Sequence, residues 1–177
     1  MTFVLPKLTL VIGGAASGKS GFAENLVMSC DRPRSYIATA QAFDTEMKAK
    51  IAKHQTQRGT GWDTYEEPVA LWNTLDRISA RNVVLLDCAT LWLSNILLGE
   101  EDLNTAKDRL FASLQGFKGT IIIVTNEVGQ GVVPDNKLAR RFRQQQGELN
   151  QQLAAIADLV VLVTAGLPLA LKGQLPQ

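Results

Sequence analysis

The clearest chemical signal in the chain is Gly13-Gly14-Ala15-Ala16-Ser17-Gly18-Lys19-Ser20, which fits the phosphate-loop pattern G-x-x-x-x-G-K-[ST]. Such a loop presents backbone N–H groups to an anion at a helix N-terminus, where the helix dipole also favours negative charge. Lys19 then reaches the outer phosphates of a nucleotide, and the Ser20 hydroxyl is placed to ligate Mg²⁺. Asp87 closes the apolar run Val83-Val84-Leu85-Leu86. An acid at the end of a strand is where phosphate-loop proteins hold magnesium, so Asp87 is expected beside Ser20. Glu127, just past another apolar run and next to Asn126, is expected to face the same site, where it would position a nucleophile or metal, or else to be an ordinary loop acid.

His54 is the only histidine. On an apolar helix face it reads either as a structural residue or as a nucleophile, because a neutral imidazole can attack a phosphoryl group and divide one transfer into two. Lys50, Lys53 and Arg58 stand near it to neutralise phosphates, and spacing alone leaves both readings open. One His and two distant cysteines, Cys30 and Cys88, do not build a tetrahedral zinc site. Cys88 follows an apolar strand and reads as core rather than nucleophile.

These residues need elements to hold them. Residues 8–12 are a short apolar run, suited to a buried strand before the loop, and residues 21–28 continue as a helix after it. Residues 35–39, 83–87, 120–125 and 159–163 read as further strands, 62–66 as a short extended segment and 169–172 as an edge strand. Helices are expected over residues 44–57 with Asp44 as cap, over 68–80 with Pro68 as first residue, and over 91–98, 104–114 and 136–157. On the first of these, Met47, Ile51 and His54 share a face. Uniformly apolar strands alternating with helices predict an α/β fold, a mostly parallel sheet with helices on both faces, and a site along the strand ends.

The 177 residues, 46% hydrophobic and 20% charged, are read as a single nucleotide-binding catalytic domain over 1–177. A net charge of +1, with Arg140, Arg141 and Arg143 as the one tight basic cluster, gives no nucleic-acid surface. The short apolar runs predict no membrane span, and two cysteines suit a reducing, cytoplasmic setting.

Several stretches taken together are more specific than the loop. They are Tyr36-Ile37-Ala38-Thr39-Ala40, Glu46 and Met47 before Ile51 and His54, Glu66-Glu67-Pro68, Asp87-Cys88 and Thr90-Leu91-Trp92 with Asn95. Thr125-Asn126-Glu127-Val128-Gly129 follows, then Arg140, Phe142-Arg143, Gly147 and Asn150-Gln151. With the loop, they resemble the bifunctional adenosylcobinamide kinase/adenosylcobinamide-phosphate guanylyltransferase family of cobalamin biosynthesis, nearly end to end. The resemblance implies a RecA-like P-loop NTPase sheet, a homotrimer, and two reactions. In one, ATP or GTP phosphorylates adenosylcobinamide. In the other, GTP gives GMP to His54, and adenosylcobinamide phosphate takes it to form adenosylcobinamide-GDP. It also implies that Thr39, Ala40, Gln41, Gln55, Thr56, Gln57, Arg58 and Glu66 line the nucleotide site. The chain departs from the family at Ala16, where Arg is usual, and at Gln144, where Asp is usual. Without the resemblance, a simple small-molecule kinase with a structural His54, or a non-catalytic nucleotide-binding module, fits the loop as well.

Overall fold

The structure is a computed structural model that describes residues 4–42 and 45–176; the side chains of residues 46, 47, 50, 53, 54 and 57 lie outside the description. Asp44, expected to cap the second helix, and the side chains of Met47, His54 and Gln57 therefore lie outside the described residues.

The strands are β1 (Leu8–Gly13), β2 (Arg34–Ala38), β3 (Trp62–Glu66), β4 (Val83–Asp87), β5 (Thr120–Asn126), β6 (Leu159–Thr164) and β7 (Leu167–Lys172). The helices are α1 (Lys19–Met28), α2 (Thr45–Arg58), α3 (Leu71–Leu75), α4 (Ala89–Leu98), α5 (Leu103–Gly116) and α6 (Lys137–Ile156). The strands form one sheet in the order β3-β2-β4-β5-β1-β6-β7. Six run parallel, and β7 returns antiparallel on β6 through a tight turn at Ala165 and Gly166. Parallel neighbours need crossovers, and the helices supply them. The strand carrying the glycine loop lies inside the sheet, between β5 and β6, and the loop joins it directly to α1. This is a P-loop NTPase fold.

The period of two in each strand divides the core. Leu8 and Leu10, Val84 and Leu86, and Ile121 and Ile123 point to one face, where Leu93 and Ile96 of α4, Leu110 and Leu114 of α5, and Leu149 and Leu153 of α6 cover them. Val11, Val83, Leu85, Ile122 and Val124 point to the other, under Ala23, Leu26 and Val27 of α1. Central strands buried on both faces read as continuous apolar runs for this reason.

α3 is shorter than the periodicity predicts. Glu67 Oε1 accepts from the N–H groups of Val69 (3.0 Å) and Ala70 (2.8 Å), so the chain turns after Pro68 instead of entering a helix. Beyond Leu75 the bonds tighten to i−3 spacing, Arg77 to Thr74 and Ile78 to Leu75. Leu71, Leu75 and Ile78 are buried all the same.

Candidate active site

β1 delivers the chain into the loop at Gly13, which lies in register with Asn126 of β5. The turn is tight: a Cβ on Gly13 would stand 2.3 Å from Ser17 Oγ and 2.6 Å from the Val163 carbonyl. Gly18 takes φ 92°, a left-handed conformation that only glycine adopts cheaply, and it starts α1 without a side-chain cap. The first N–H groups of α1 are therefore left for an anion. Ala16 also has a positive φ, 53°, which costs of order 1–2 kcal/mol for an L-residue. The loop is tied down on both sides. Gly166 N–H donates to Ser17 O at 2.8 Å, and Glu127 N–H donates to Gly13 O at 3.1 Å. Lys19 Nζ donates to Gly14 O at 3.0 Å, which keeps the ammonium at the loop mouth.

Beside the loop is a cavity of about 720 Å³ at the C-terminal ends of the parallel strands. Lys19, Ser20, Asp87 and Asn126 reach it from the loop side, Lys48, Ile51, Ala52, Gln55 and Arg58 from α2, and Glu66 from β3. Ala40 and Gln41 also line it. Ala15 and Ala16 are exposed on the loop itself. The backbone of residue 54 is in α2, one turn after Ile51 and one turn before Arg58, both of which line the cavity.

Two expected lining side chains are elsewhere. Thr39 is fully buried, and its hydroxyl both accepts from Cys88 N–H and donates to Cys88 O, each at 2.8 Å. It ties the end of β2 to the start of α4 and does not line the cavity. The Thr56 hydroxyl bonds back to Ala52 O on its own helix at 3.0 Å.

Arg58 is buried, with its guanidinium 3.5 Å from the centre of the Tyr36 ring and 5.8 Å from that of Trp62. Its Nη2 donates to Thr64 Oγ1 at 3.2 Å. The cation is held mainly by ring faces, an interaction worth about 2 kcal/mol when desolvated. The Tyr36 hydroxyl donates to Asp87 Oδ2 at 3.2 Å. Burial first, and then the Asp87 charge, raise the phenol well above its ordinary pKa, so it remains a donor. Cys88 is pushed up to about 11, chiefly by burial, and at neutral pH is a thiol. Its Sγ caps α4 by accepting from Leu91 N–H at 3.5 Å, a structural role.

Glu127 does not face the cavity. Its Oε1 accepts from Gly129 N–H at 2.5 Å, closing a turn in its own loop. The residue at the end of β5 that lines the cavity is Asn126. Arg143 donates to the carbonyls of Gly129 and Gly131, and Arg140 to those of Pro134 and Asp135. The arginine cluster of α6 therefore fastens the loop before it. Gln144 bonds to Glu148 on the same helix.

The charged residue at this strand end, Glu127, bonds within its own loop, and the polar link to Asp87 comes from Tyr36 instead. The signal for Tyr36 was its place two residues before the end of a strand adjacent to β4, which becomes visible only once the strand order is known.

Comparison with known proteins gives a consistent picture. The cobinamide kinase / cobinamide phosphate guanyltransferase family matches residues 9–171. The bifunctional adenosylcobalamin biosynthesis protein CobP of Pseudomonas aeruginosa is 45% identical over 168 residues, covering 93% of this chain and 97% of that protein. The bifunctional adenosylcobalamin biosynthesis protein CobU of Escherichia coli K12 is 39% identical over 185 residues, covering 93% and 99%. Among solved structures, the flagellar accessory protein FlaH of Methanocaldococcus jannaschii shares the fold, with a TM-score of 0.54 at 13% identity over 96% of this chain and 80% of that one.

Proposed function

The chain belongs to the cobinamide kinase / cobinamide phosphate guanyltransferase family of transferases, and on that premise we propose that the cavity beside the glycine loop serves both transfers, with His54 carrying GMP between them. The observation that supports this most is the pairing across the cavity: Lys19, Ser20 and Asp87 reach it from one side, and α2, the helix that contains residue 54, lines the other.

In the kinase reaction the α1 N–H groups and Lys19 bind the phosphates of ATP or GTP and stabilise the charge that develops as the outer group moves to the hydroxyl of adenosylcobinamide. Ser20 and Asp87 suit Mg²⁺, which takes few protein oxygens and keeps water and phosphate as its other ligands. The Tyr36 hydroxyl orients the Asp87 carboxylate for it. When bound, the ion neutralises charge on the phosphate oxygens.

In the guanylyl transfer, neutral His54 attacks the α-phosphorus of GTP. A P–N bond forms, and pyrophosphate leaves with the electrons of the broken P–O bond. A phosphate oxygen of adenosylcobinamide phosphate then attacks the same phosphorus, and His54 departs with the electron pair of the P–N bond. The product is adenosylcobinamide-GDP. Gln41, Gln55 and Glu66 line the cavity as polar groups for the nucleotide. We further propose that the enzyme works in the cytoplasm as a homotrimer. Among the described residues no helix is long and apolar enough to cross a membrane.

The test is intact-protein mass spectrometry after incubation with GTP and Mg²⁺. Wild type is expected to gain the mass of one GMP, in a base-stable and acid-labile adduct, and His54→Ala to gain none while retaining kinase turnover. An adduct that persists in His54→Ala overturns the assignment of the nucleophile.

A further inference from the structure

Asn126 is held in place by an unusual amount of buried polar structure. Its N–H donates to Thr90 Oγ1 at 2.7 Å, and its carbonyl accepts from Asn150 Nδ2 at 3.0 Å. Behind these contacts, Thr125 Oγ1 donates to Asn150 Oδ1 at 2.7 Å and accepts from Gln146 Nε2 at 2.9 Å. Gln146 Nε2 also reaches Asn150 Oδ1 at 2.8 Å, and the hydroxyls of Thr90 and Thr125 lie 3.4 Å apart. Thr125 and Gln146 are wholly buried. Thus α4, β5 and α6 each contribute a polar side chain to one network deep in an otherwise apolar layer.

Removing such groups from water is unfavourable unless each finds a partner, and four apolar side chains would pack there without that demand; Gln146 Oε1 has no partner among the described residues. Of the residues in and around this network, Thr90 and Asn126 line the cavity, and the network fixes the backbone that carries the Asn126 carboxamide. That carboxamide makes no hydrogen bond among the described residues, although the Asn126 backbone N–H and carbonyl are both engaged. It lines the cavity with Lys19 and Ser20, and its Cα is in register with Gly13, where the phosphate loop begins. A carboxamide offers an N–H donor and a carbonyl acceptor side by side without charge. That pair matches a phosphoryl oxygen next to a hydroxyl. A carboxylate in its place would repel the phosphate.

We propose that Asn126 contacts the reacting groups in the kinase step, with Nδ2 donating to an oxygen of the terminal phosphoryl group and Oδ1 accepting from the attacking hydroxyl. Thr90, Thr125, Gln146 and Asn150 are the positioning residues that hold it. The inference rests on the cavity being the nucleotide site. In the step itself the alcohol oxygen bonds to the terminal phosphorus, the bond to the bridging oxygen breaks, the nucleoside diphosphate keeps its electron pair, and the hydroxyl proton passes to water.

The test is steady-state phosphorylation of adenosylcobinamide by wild type, Asn126→Ala, Thr90→Val and Thr90→Ser, with Tm measured alongside. In Asn126→Ala the expected result is kcat lower by about 100-fold with the nucleotide KM within about threefold, the pattern of a contact made in the transition state. Its Tm should match wild type, since the carboxamide holds nothing in the fold. Thr90→Val, which leaves the Asn126 N–H without its acceptor, should lower kcat by about tenfold, and Thr90→Ser should restore most of it. An active wild type with Asn126→Ala kcat within threefold overturns the proposal alone. So does a loss that falls wholly on KM, or Thr90→Ser behaving like Thr90→Val. A wild type that binds no nucleotide at all overturns both this proposal and the reading of the cavity.

Discussion

The two walls of the cavity are built on opposite plans. On the loop wall, β1 pairs in continuous parallel register with β5 on one side and β6 on the other, and the glycine loop is tied to both flanking strands' C-terminal segments. On the α2 wall, Arg58 is the one buried side chain among those described, Ile51 is half-buried, and Thr45, Lys48, Ala49, Ala52, Gln55 and Thr56 are exposed. α2 adds nothing to either core cluster among the described residues. It is followed by Gly59 at φ 74° and Gly61 at φ 85°, a turn that suits glycine alone. The difference fits two kinds of work. Phosphate charge is stabilised best by groups that need not move. A nucleophile of the kind proposed at residue 54, meeting an α-phosphorus in one reaction and staying clear in the other, suits a part held by few contacts.

The largest expected difference is in hydrogen exchange. Amides of β1 and β5 should exchange about 1000-fold or more slowly than those of α2, since local opening ranges from near zero to the global free energy of unfolding. Addition of GTP should slow α2 and leave β1 unchanged. Equal protection of the two walls in the free protein would break the comparison. Next in size, Lys19→Ala should reduce both phosphorylation and guanylylation by about 100-fold or more, because both place charge on phosphates at the loop; a loss confined to one reaction would mean that the two do not share the loop wall. The smallest expected effect belongs to Arg58→Leu, which removes the cation from the Tyr36 face and leaves α2 without its buried anchor. It should lower guanylylation about tenfold and phosphorylation less, with stability reduced by about 1–2 kcal/mol. Equal losses in both reactions would show that the anchor serves the whole cavity.

Much of this was legible in the sequence. The loop, the strand before it and the helix after it are local features, and their residues fall where pattern and spacing put them. So do β3, β4 and the long α6, whose N-cap Asn136 accepts from Ala139 N–H at 2.7 Å. Three things were not legible, for distinct reasons. The length of α3 depended on the Glu67 carboxylate closing a turn, which competes with the helical start that Pro68 suggests. The burial of Thr39 depended on its partner Cys88, 49 positions away on a neighbouring strand's exit. The choice between Asn126 and Glu127 depended on where β5 ends: Asn126 is its last residue, and Glu127, just beyond it, turns its carboxylate back to Gly129 N–H.

The sequence by itself determined that this chain binds nucleotide phosphates, and its wider motifs marked the family. A glycine loop needs only consecutive residues and their backbone preferences, so its chemistry is written in one short stretch. Only the tertiary structure decided what surrounds the phosphates. It took strand order to bring Tyr36 to Asp87 and to set Arg58 on the Tyr36 ring. It took the meeting of α4, β5 and α6 to fix Asn126 toward the cavity while Glu127 folds back on its loop. Those arrangements join residues far apart in the chain through register, burial and hydrogen-bond partners, and none of these exists until the sheet has formed.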